Sequence, residues 1–247
     1  MKQKISISIV FPCFNDSHSI GLLIKHAFNV AKKLSNDYEI IVIDDGSTDA
    51  SRTILKKLTK KYSKLHLIFH KKNIGYGGAL RSGFEKASKQ FVFYTDGDGQ
   101  YDVRELPLLF NALTPDISFV NGIKTVRHDP THRIVLGNIY SFFARWAFWL
   151  PVQDVDCDFR LIKKNILKKI HLQCTSGAVC VELVKKAQRQ GAVFAQISVH
   201  HYERKYGVSQ FFRVNRLLST LREIAFLWMQ LMIIDPLRDS RYGKPKV

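Results

Sequence analysis

The chain has 247 residues, of which 46% are apolar, and 38 Lys and Arg against 21 Asp and Glu give it a net charge of +17. These values predict one large domain, or one domain with a small appendage, around a real core; they exclude a disordered chain and a membrane bundle. The charge requires an anionic partner: nucleic acid, an anionic membrane surface or a phosphorylated substrate.

The lysines spread from Lys56 to Lys72 lack the arginine–aromatic interleaving of RNA binders, so nucleic acid is set aside. Residues 5–11 are too short, and too interrupted by Ser6 and Ser8, for a signal peptide. The four cysteines, Cys13, Cys157, Cys174 and Cys180, follow no zinc or disulfide spacing. A cytosolic chain with reduced thiols is expected.

In chain order, residues 5–11 alternate and then become fully apolar, which predicts a strand ended by Pro12. Ser17 or Ser19 caps a helix to about residue 34. A second strand over 38–43 runs into Asp44 and Asp45, and Asp49 caps a helix to about residue 62. A third strand covers 65–69. The glycine segment Gly75-Tyr76-Gly77-Gly78 opens a helix to about residue 88, and a fourth strand covers 91–95. Alternation of this kind predicts a largely parallel sheet covered on both faces, with ligands outside the carboxyl ends of the strands.

Three acidic clusters meet on that rim: Asp16 after the first strand, Asp44 and Asp45 after the second, Asp96 and Asp98 after the fourth. If the strand persists one residue past Thr95, Asp96 and Asp98 point the same way and repel unless a cation lies nearby. Mg²⁺ suits two carboxylates because it fills its other positions with phosphate oxygens and water. A polar turn is the alternative. Leu80 stands where the dinucleotide fingerprint needs its third glycine, so the glycine segment reads as a close-packed helix start ahead of a phosphate loop.

The ordered set Pro12-x-Phe14-Asn15-Asp16, Ile43-Asp44-Asp45-Gly46-Ser47-x-Asp49, Asn73-x-Gly75-x-Gly77-x-Ala79-x-Arg81-x-Gly83 and Asp96-x-Asp98-x-Gln100 resembles the family-2 glycosyltransferases of the GT-A fold. Within them it is most similar to the dolichol-phosphate mannosyltransferase and bactoprenol glucosyltransferase group, over about residues 5–215. The resemblance implies an α/β fold, a Rossmann-like, mostly parallel sheet with helices on both faces. It implies a donor site of Pro12, Phe14, Asp16, Ile43, Asp45, Asp96, Gly97 and Lys124, with Asp45 accepting a hydrogen bond from the base and Lys124 near the diphosphate. It implies Mg²⁺ or Mn²⁺ on Asp98 and Gln100, together with Asp96.

In the second half, residues 117–120 predict a strand, and Arg127, His128, His132 and Arg133 a basic loop. The helix that follows carries Phe142, Phe143, Trp146 and Trp149, and is either a core helix or an interfacial one. Asp154 or Asp156 is the candidate base, with pairing to Arg160 as the structural alternative. Glu182 also matches a family position. Arg204, Gly207 and Ser209 match the family's Arg-x-x-Gly-x-Ser-Lys segment, where Gln210 replaces the lysine; Lys205 or Arg213 would compensate. His200 and His201 read as structural. A helix over 211–234 carries one apolar face; its most apolar stretch, 224–234, is about 16 Å long, too short to cross a bilayer. It predicts an amphipathic helix at the membrane surface, with Arg238, Arg241, Lys244 and Lys246 for lipid phosphates. A homo-oligomer interface is the alternative.

The expected organisation is a catalytic domain over 1–215 and a helical, basic tail over 216–247. The expected function is metal-dependent, inverting transfer of a sugar from a UDP- or GDP-linked donor to a polyprenyl phosphate at the cytoplasmic membrane face. Asp98, Arg204 and Asp156 would be catalytic, and Arg133, Arg204 and Ser209 would hold the acceptor. The alternatives are a saccharide hydroxyl acceptor in cell-surface polysaccharide synthesis, or a non-catalytic nucleotide- or polyanion-binding module.

Overall fold

The computed structural model of the protein describes residues 5–127, 131–204, 206 and 214–236. The first half alternates as predicted: β1 (Ser6–Cys13), α1 (Ile20–Leu34), β2 (Asp37–Asp44), α2 (Ser51–Thr59), β3 (Leu65–Phe69), α3 (Tyr76–Lys86) and β4 (Phe91–Thr95). The second half adds α4 (Leu106–Asn111), β5 (Phe119–Arg127), α5 (Thr131–Phe148), β6 (Phe159–Lys163), α6 (Lys164–Leu167), α7 (Val179–Arg189), β7 (Phe194–His201) and α8 (Val214–Trp228). A π-helical stretch, Met229–Ile234, continues α8.

The strands form one seven-stranded sheet in the order β3-β2-β1-β4-β6-β5-β7. Burial on both faces explains the unbroken apolar runs of β1 and β2. Alternate residues serve opposite layers, as the strand period requires. Val10, Ile41 and Ile43 pack with Leu80, Phe148, Leu183 and Leu227 under α3, α5, α7 and α8. Ile9, Ile40 and Val42 pack with Ile24, Phe28, Leu55 and Leu106 under α1, α2 and α4.

Two expectations are corrected. β1 does not end at Pro12 but pairs with β2 through Cys13↔Asp44. Its pairing with β4 stops at Val10↔Tyr94, so Pro12 sits where one side of the strand is free and its missing N–H breaks no ladder. The sheet is mostly parallel, as expected, and β6 alone among the named strands runs antiparallel to its neighbours, β4 and β5. β5 extends to Arg127 and α5 starts at Thr131, so Arg127 leaves the expected basic loop for a strand, and His132 and Arg133 leave it for a helix; His128 lies outside the described residues.

α8 is half core and half surface. Leu227 and Leu231 are buried in the α-layer core, while Leu217, Leu218, Leu221 and Phe226 face outward. The apolar stretch is also longer than expected: Leu217–Ile234 spans 18 residues at a mean hydropathy of 1.5, enough by length and composition to cross a membrane. α5 shows the same split, with Phe148 buried and Phe142, Phe143 and Trp146 exposed.

Candidate active site

The parallel strands β1, β2 and β4 end on one rim, and short loops lock their carboxylates there. Asn15 adopts a left-handed φ of 59°, a conformation asparagine tolerates better than most residues. This turns its side chain to accept from Thr48 N at 2.8 Å, while its own N–H donates to Ser47 Oγ at 3.0 Å. Asp16 N donates to Ser51 Oγ at 3.0 Å, and Asp16 Oδ2 accepts from Phe14 N at 3.0 Å. Burial pushes the Asp16 carboxyl up to about 7; the bond from Phe14 opposes this and the Asp98 charge adds to it.

Asp96 and Asp98 stand at the end of β4, with Gly97 between them. A Cβ on Gly97 would meet Pro12 O at 2.6 Å and Asp16 Oδ2 at 3.2 Å, so glycine is what lets the two loops close on each other. Ser19 Oγ donates to Gly97 O at 2.8 Å and fixes that approach. Burial, Asp158 and Asp98 together push the Asp96 carboxyl well above the usual range. The buried Tyr76 hydroxyl approaches Asp96 without completing a well-formed hydrogen bond.

Arg204 Nη2 pairs with Asp98 Oδ2. Burial would lower the guanidinium's pKa, but Asp98, with Asp16 and Asp96 behind it, raises it. Gln100 ties the Arg204 segment down: its backbone carbonyl accepts from Tyr202 N at 2.8 Å, and its Nε2 donates to Tyr202 O at 3.0 Å. Tyr206 stacks on His18 with ring centroids 5.1 Å apart. Residues 202–204 and Tyr206 therefore lie across the rim from the β7 side to the β1–α1 loop.

Among the described residues no group of three or more His, Cys, Asp or Glu is arranged to hold a metal ion. The donor chemistry still fits a hard divalent cation that keeps water and substrate oxygens, because Mg²⁺ needs only one or two protein carboxylates. Asp96 and Asp98 are the two carboxylates at the end of β4; burial first, and then the Asp158 and Asp98 charges, raise the Asp96 carboxyl, and a nearby cation would oppose that shift. The Gln100 side chain is instead engaged with Tyr202 and Arg204.

At the end of β2, Asp45 Oδ1 meets His70 Nδ1 at 2.7 Å and accepts from Ile74 N at 2.9 Å, and Asp45 Oδ2 accepts from Gly75 N at 3.0 Å. Asp45 thus holds the entry to α3 at its N-cap, Gly75. Ile43 lies in the core beneath Gly83. On the other side, Lys124 Nζ donates to Asp156 O at 2.7 Å and sits 3.5 Å from Asp154 Oδ1 and 3.6 Å from Asp156 Oδ2. Its ammonium is held by these acidic neighbours. Burial raises the Asp156 carboxyl, and Lys124 opposes this.

The expected pairing of Arg160 falls to another aspartate. Fully buried Arg160 donates to Tyr94 Oη at 2.6 Å and Asn121 Oδ1 at 2.7 Å, and lies 3.9 Å from Asp158. Asp158 also accepts from Cys180 Sγ at 3.2 Å and is among the charges that press on Asp96. Sequence reasoning passed over Asp158 and Tyr76. The available signals were the alternating Asp154-x-Asp156-x-Asp158 run leading into a strand and an aromatic residue between two glycines. Arg133 falls on the first turn of α5; Lys205, Gly207, Ser209, Gln210 and Arg213 lie outside the described residues.

A mostly parallel sheet of this order, flanked by helices on both faces and with carboxylates gathered at the ends of β1 and β4, is an α/β fold of the GT-A type. The solved structure of glucosyl-3-phosphoglycerate synthase from Mycobacterium tuberculosis, in complex with Mn²⁺, uridine diphosphate and glucosyl-3-phosphoglycerate, superposes with a TM-score of 0.69 over 98% of this chain and 81% of that one at 18% identity. The same enzyme with Mn²⁺, UDP-glucose and phosphoglyceric acid gives the same TM-score, 0.69, over 98% of this chain and 81% of that one at 18% identity. The model of glycosyl transferase family 2 matches residues 8–181, and the chain belongs to that family. It is similar to the undecaprenyl-phosphate 4-deoxy-4-formamido-L-arabinose transferase of Yersinia enterocolitica, at 26% identity over 85% of this chain and 64% of that protein. The corresponding transferase of Pectobacterium atrosepticum is 26% identical over 83% of this chain and 62% of its own length. The chain therefore spans less than two thirds of the length of these curated relatives.

Proposed function

We propose that this protein transfers a sugar from a UDP- or GDP-linked donor to a polyprenyl phosphate at the cytoplasmic face of a membrane, with inversion at the anomeric carbon. The observation that carries this reading is the meeting of Asp16, Asp96, Asp98 and Arg204 at the ends of β1 and β4. Pro12, Phe14, Asp16, Asp45 and Gly97 would line the nucleotide, with the main chain at Ile43 behind them. Asp96 and Asp98 would hold Mg²⁺ or Mn²⁺, with Gln100 behind Asp98. When bound, that cation supplies charge neutralisation at the leaving diphosphate.

The protein's own groups do the rest. Arg204 spans the rim next to Asp98 and presents a guanidinium suited to a phosphate oxygen. Lys124 adds a second cation beyond Asp156. A phosphate monoester is already ionised at neutral pH, with a second pKa of about 6, so the acceptor needs cations to hold it more than a base. Arg204, Arg133 and Ser209 have that role. As an acceptor oxygen bonds to the anomeric carbon, the sugar–diphosphate bond breaks and the nucleoside diphosphate leaves.

The outward faces of α5 and α8 support membrane attachment: aromatic residues are exposed on both helices, and Trp228 Nε1 donates to Ala147 O at 3.0 Å to join them. The division into a catalytic domain to about residue 215 and a helical, basic tail belongs to the same proposal.

A saccharide hydroxyl acceptor is the second reading. It is favoured by the raised Asp156 carboxyl, since a hydroxyl acceptor needs a general base. The test is to incubate the purified protein with UDP- and GDP-sugars, Mg²⁺ or Mn²⁺, and either a short polyprenyl phosphate or an oligosaccharide. Sugar appearing on the lipid supports the first reading and sugar on the oligosaccharide the second. No transfer and no metal-dependent nucleotide binding would leave a polyanion-binding module.

A further inference from the structure

The loop before α7 presents four consecutive backbone N–H groups to two carboxylates. Gln173 N and Cys174 N each donate at 2.8 Å to Glu182, which is fully buried on α7 and pairs with Lys186 at 2.6 Å. Thr175 N and Ser176 N donate to Glu223 at 3.1 and 3.0 Å, and the two hydroxyls add bonds of 2.7 Å each. One half of the loop is thus held by the catalytic core. The other half is held by α8, the helix that also carries the outward apolar face.

The far side of this loop is the seat of α3. Gly77 N donates to Thr175 O at 3.0 Å, and Arg81 donates to Leu172 O and Cys174 O, each at 3.2 Å. A Cβ on Gly75 would strike Thr175 O, and one on Gly77 would strike Cys174 O. Gly75 also takes a φ of 91°. The first turn of α3 therefore lies directly against the loop carbonyls, and a shift of the loop must displace it. Just ahead of that turn, Gly75 N and Ile74 N hold Asp45, and the turn's first residue, Tyr76, reaches Asp96.

We propose that Glu223 is a positioning residue that couples α8 to the nucleotide rim: by holding Thr175 and Ser176 it sets the first turn of α3, and through it Asp45 and Tyr76. The inference rests on the donor-site reading above. Thr175 is exposed, so water can satisfy its N–H when the carboxylate is lost, and the loop can relax without unfolding the core. Glu182 keeps the other half in place. The expected effect of losing Glu223 is local, on nucleotide binding.

The test uses the full chain and its Glu223→Gln and Glu223→Ala variants, titrated by calorimetry with UDP and with GDP in the presence of Mn²⁺. Hydrogen exchange at residues 74–77 and thermal unfolding are measured on the same samples. Nucleotide affinity is expected to fall about 5- to 20-fold, with faster exchange at residues 74–77 and an unfolding midpoint close to wild type. Thr175→Val and Ser176→Ala remove the hydroxyl donors from the loop side and are expected to act in the same direction should the Glu223 variants fold poorly. Unchanged affinity in folded variants, or affinity that falls only in step with a general loss of stability, would overturn the coupling. Failure of the wild-type protein to bind either nucleotide would overturn the donor-site reading and this inference with it.

Discussion

Arg204 closes on the Asp98 carboxylate from 106 residues further along the chain. This pair brings the segment that follows β7 to the end of β4, and it makes residues 202–204 part of the rim. Removing either partner leaves a partly buried charge without its counterion, which costs more than the pair itself contributes.

Asp98→Asn is therefore expected to reduce sugar transfer by about 10²–10³-fold or more. Arg204→Ala should do the same, and the double variant should lose far less than the product of the two because the residues act as a unit. Steady-state rates with a nucleotide-sugar and a polyprenyl phosphate check this. Near-normal turnover in Asp98→Asn would remove that residue from the site.

Gly97→Ala places a methyl group against Pro12 O and Asp16 Oδ2. Overpacking of this kind costs about 1–3 kcal/mol. The variant is expected to unfold at a lower temperature and to bind UDP or GDP more weakly, since β1 and β4 must separate at the rim. Calorimetric unfolding and nucleotide titration read the two effects separately.

Glu39 gives a pH signature away from the rim. Its carboxylate accepts from Ser8 Oγ at 2.6 Å, Ser88 N at 2.6 Å and Ser88 Oγ at 3.0 Å. Burial would raise its pKa, but these bonds, together with His66, lower it. A group lowered on folding contributes stability above its unfolded value, about 4.3 for Glu. That contribution is lost as pH falls through the folded value. Glu39→Gln should cost about 1–2 kcal/mol at pH 7, and wild type and variant should converge in acid. Parallel unfolding curves at every pH would contradict this.

The four cysteines, Cys13, Cys157, Cys174 and Cys180, are free and buried. Burial pushes every one of these thiols up, Cys157 to about 12. At pH 8 the folded protein should react with a thiol reagent only as fast as it opens, and all four thiols should react at once in denaturant. A rapidly labelled thiol in the native protein would show a site more open than this.

Leu218 and Phe226 are exposed on α8. Replacing both with Glu should reduce flotation with anionic liposomes while leaving unfolding unchanged, because neither packs in the core. Equal flotation together with a smaller oligomer by light scattering would assign the face to a second copy.

Residues 5–95 were legible element by element, because each strand there is short, apolar and stopped by a polar turn, and each helix has a clean apolar stripe. The acidic rim followed, since parallel strands joined by helices must all end on the same side. β6 was not legible. Phe159 to Lys163 is only five residues long, and it follows an acidic run that reads equally well as a site loop. α8 was half legible: its apolar content is local, but which side packs and which faces outward depends on what α5 and α7 offer it.

The amino-acid order by itself determined the parallel core and the convergence of Asp16, Asp45, Asp96 and Asp98, because both follow from local periodicity and from the handedness of strand–helix–strand units. Only the tertiary structure decided that Asp158 and not Asp156 lies beside Arg160, that Arg204 reaches Asp98, and that Glu223 reaches the loop under α3. Each of these is a contact between side chains far apart in the chain. No local pattern encodes such a meeting, and it exists only once the sheet order has been set by packing.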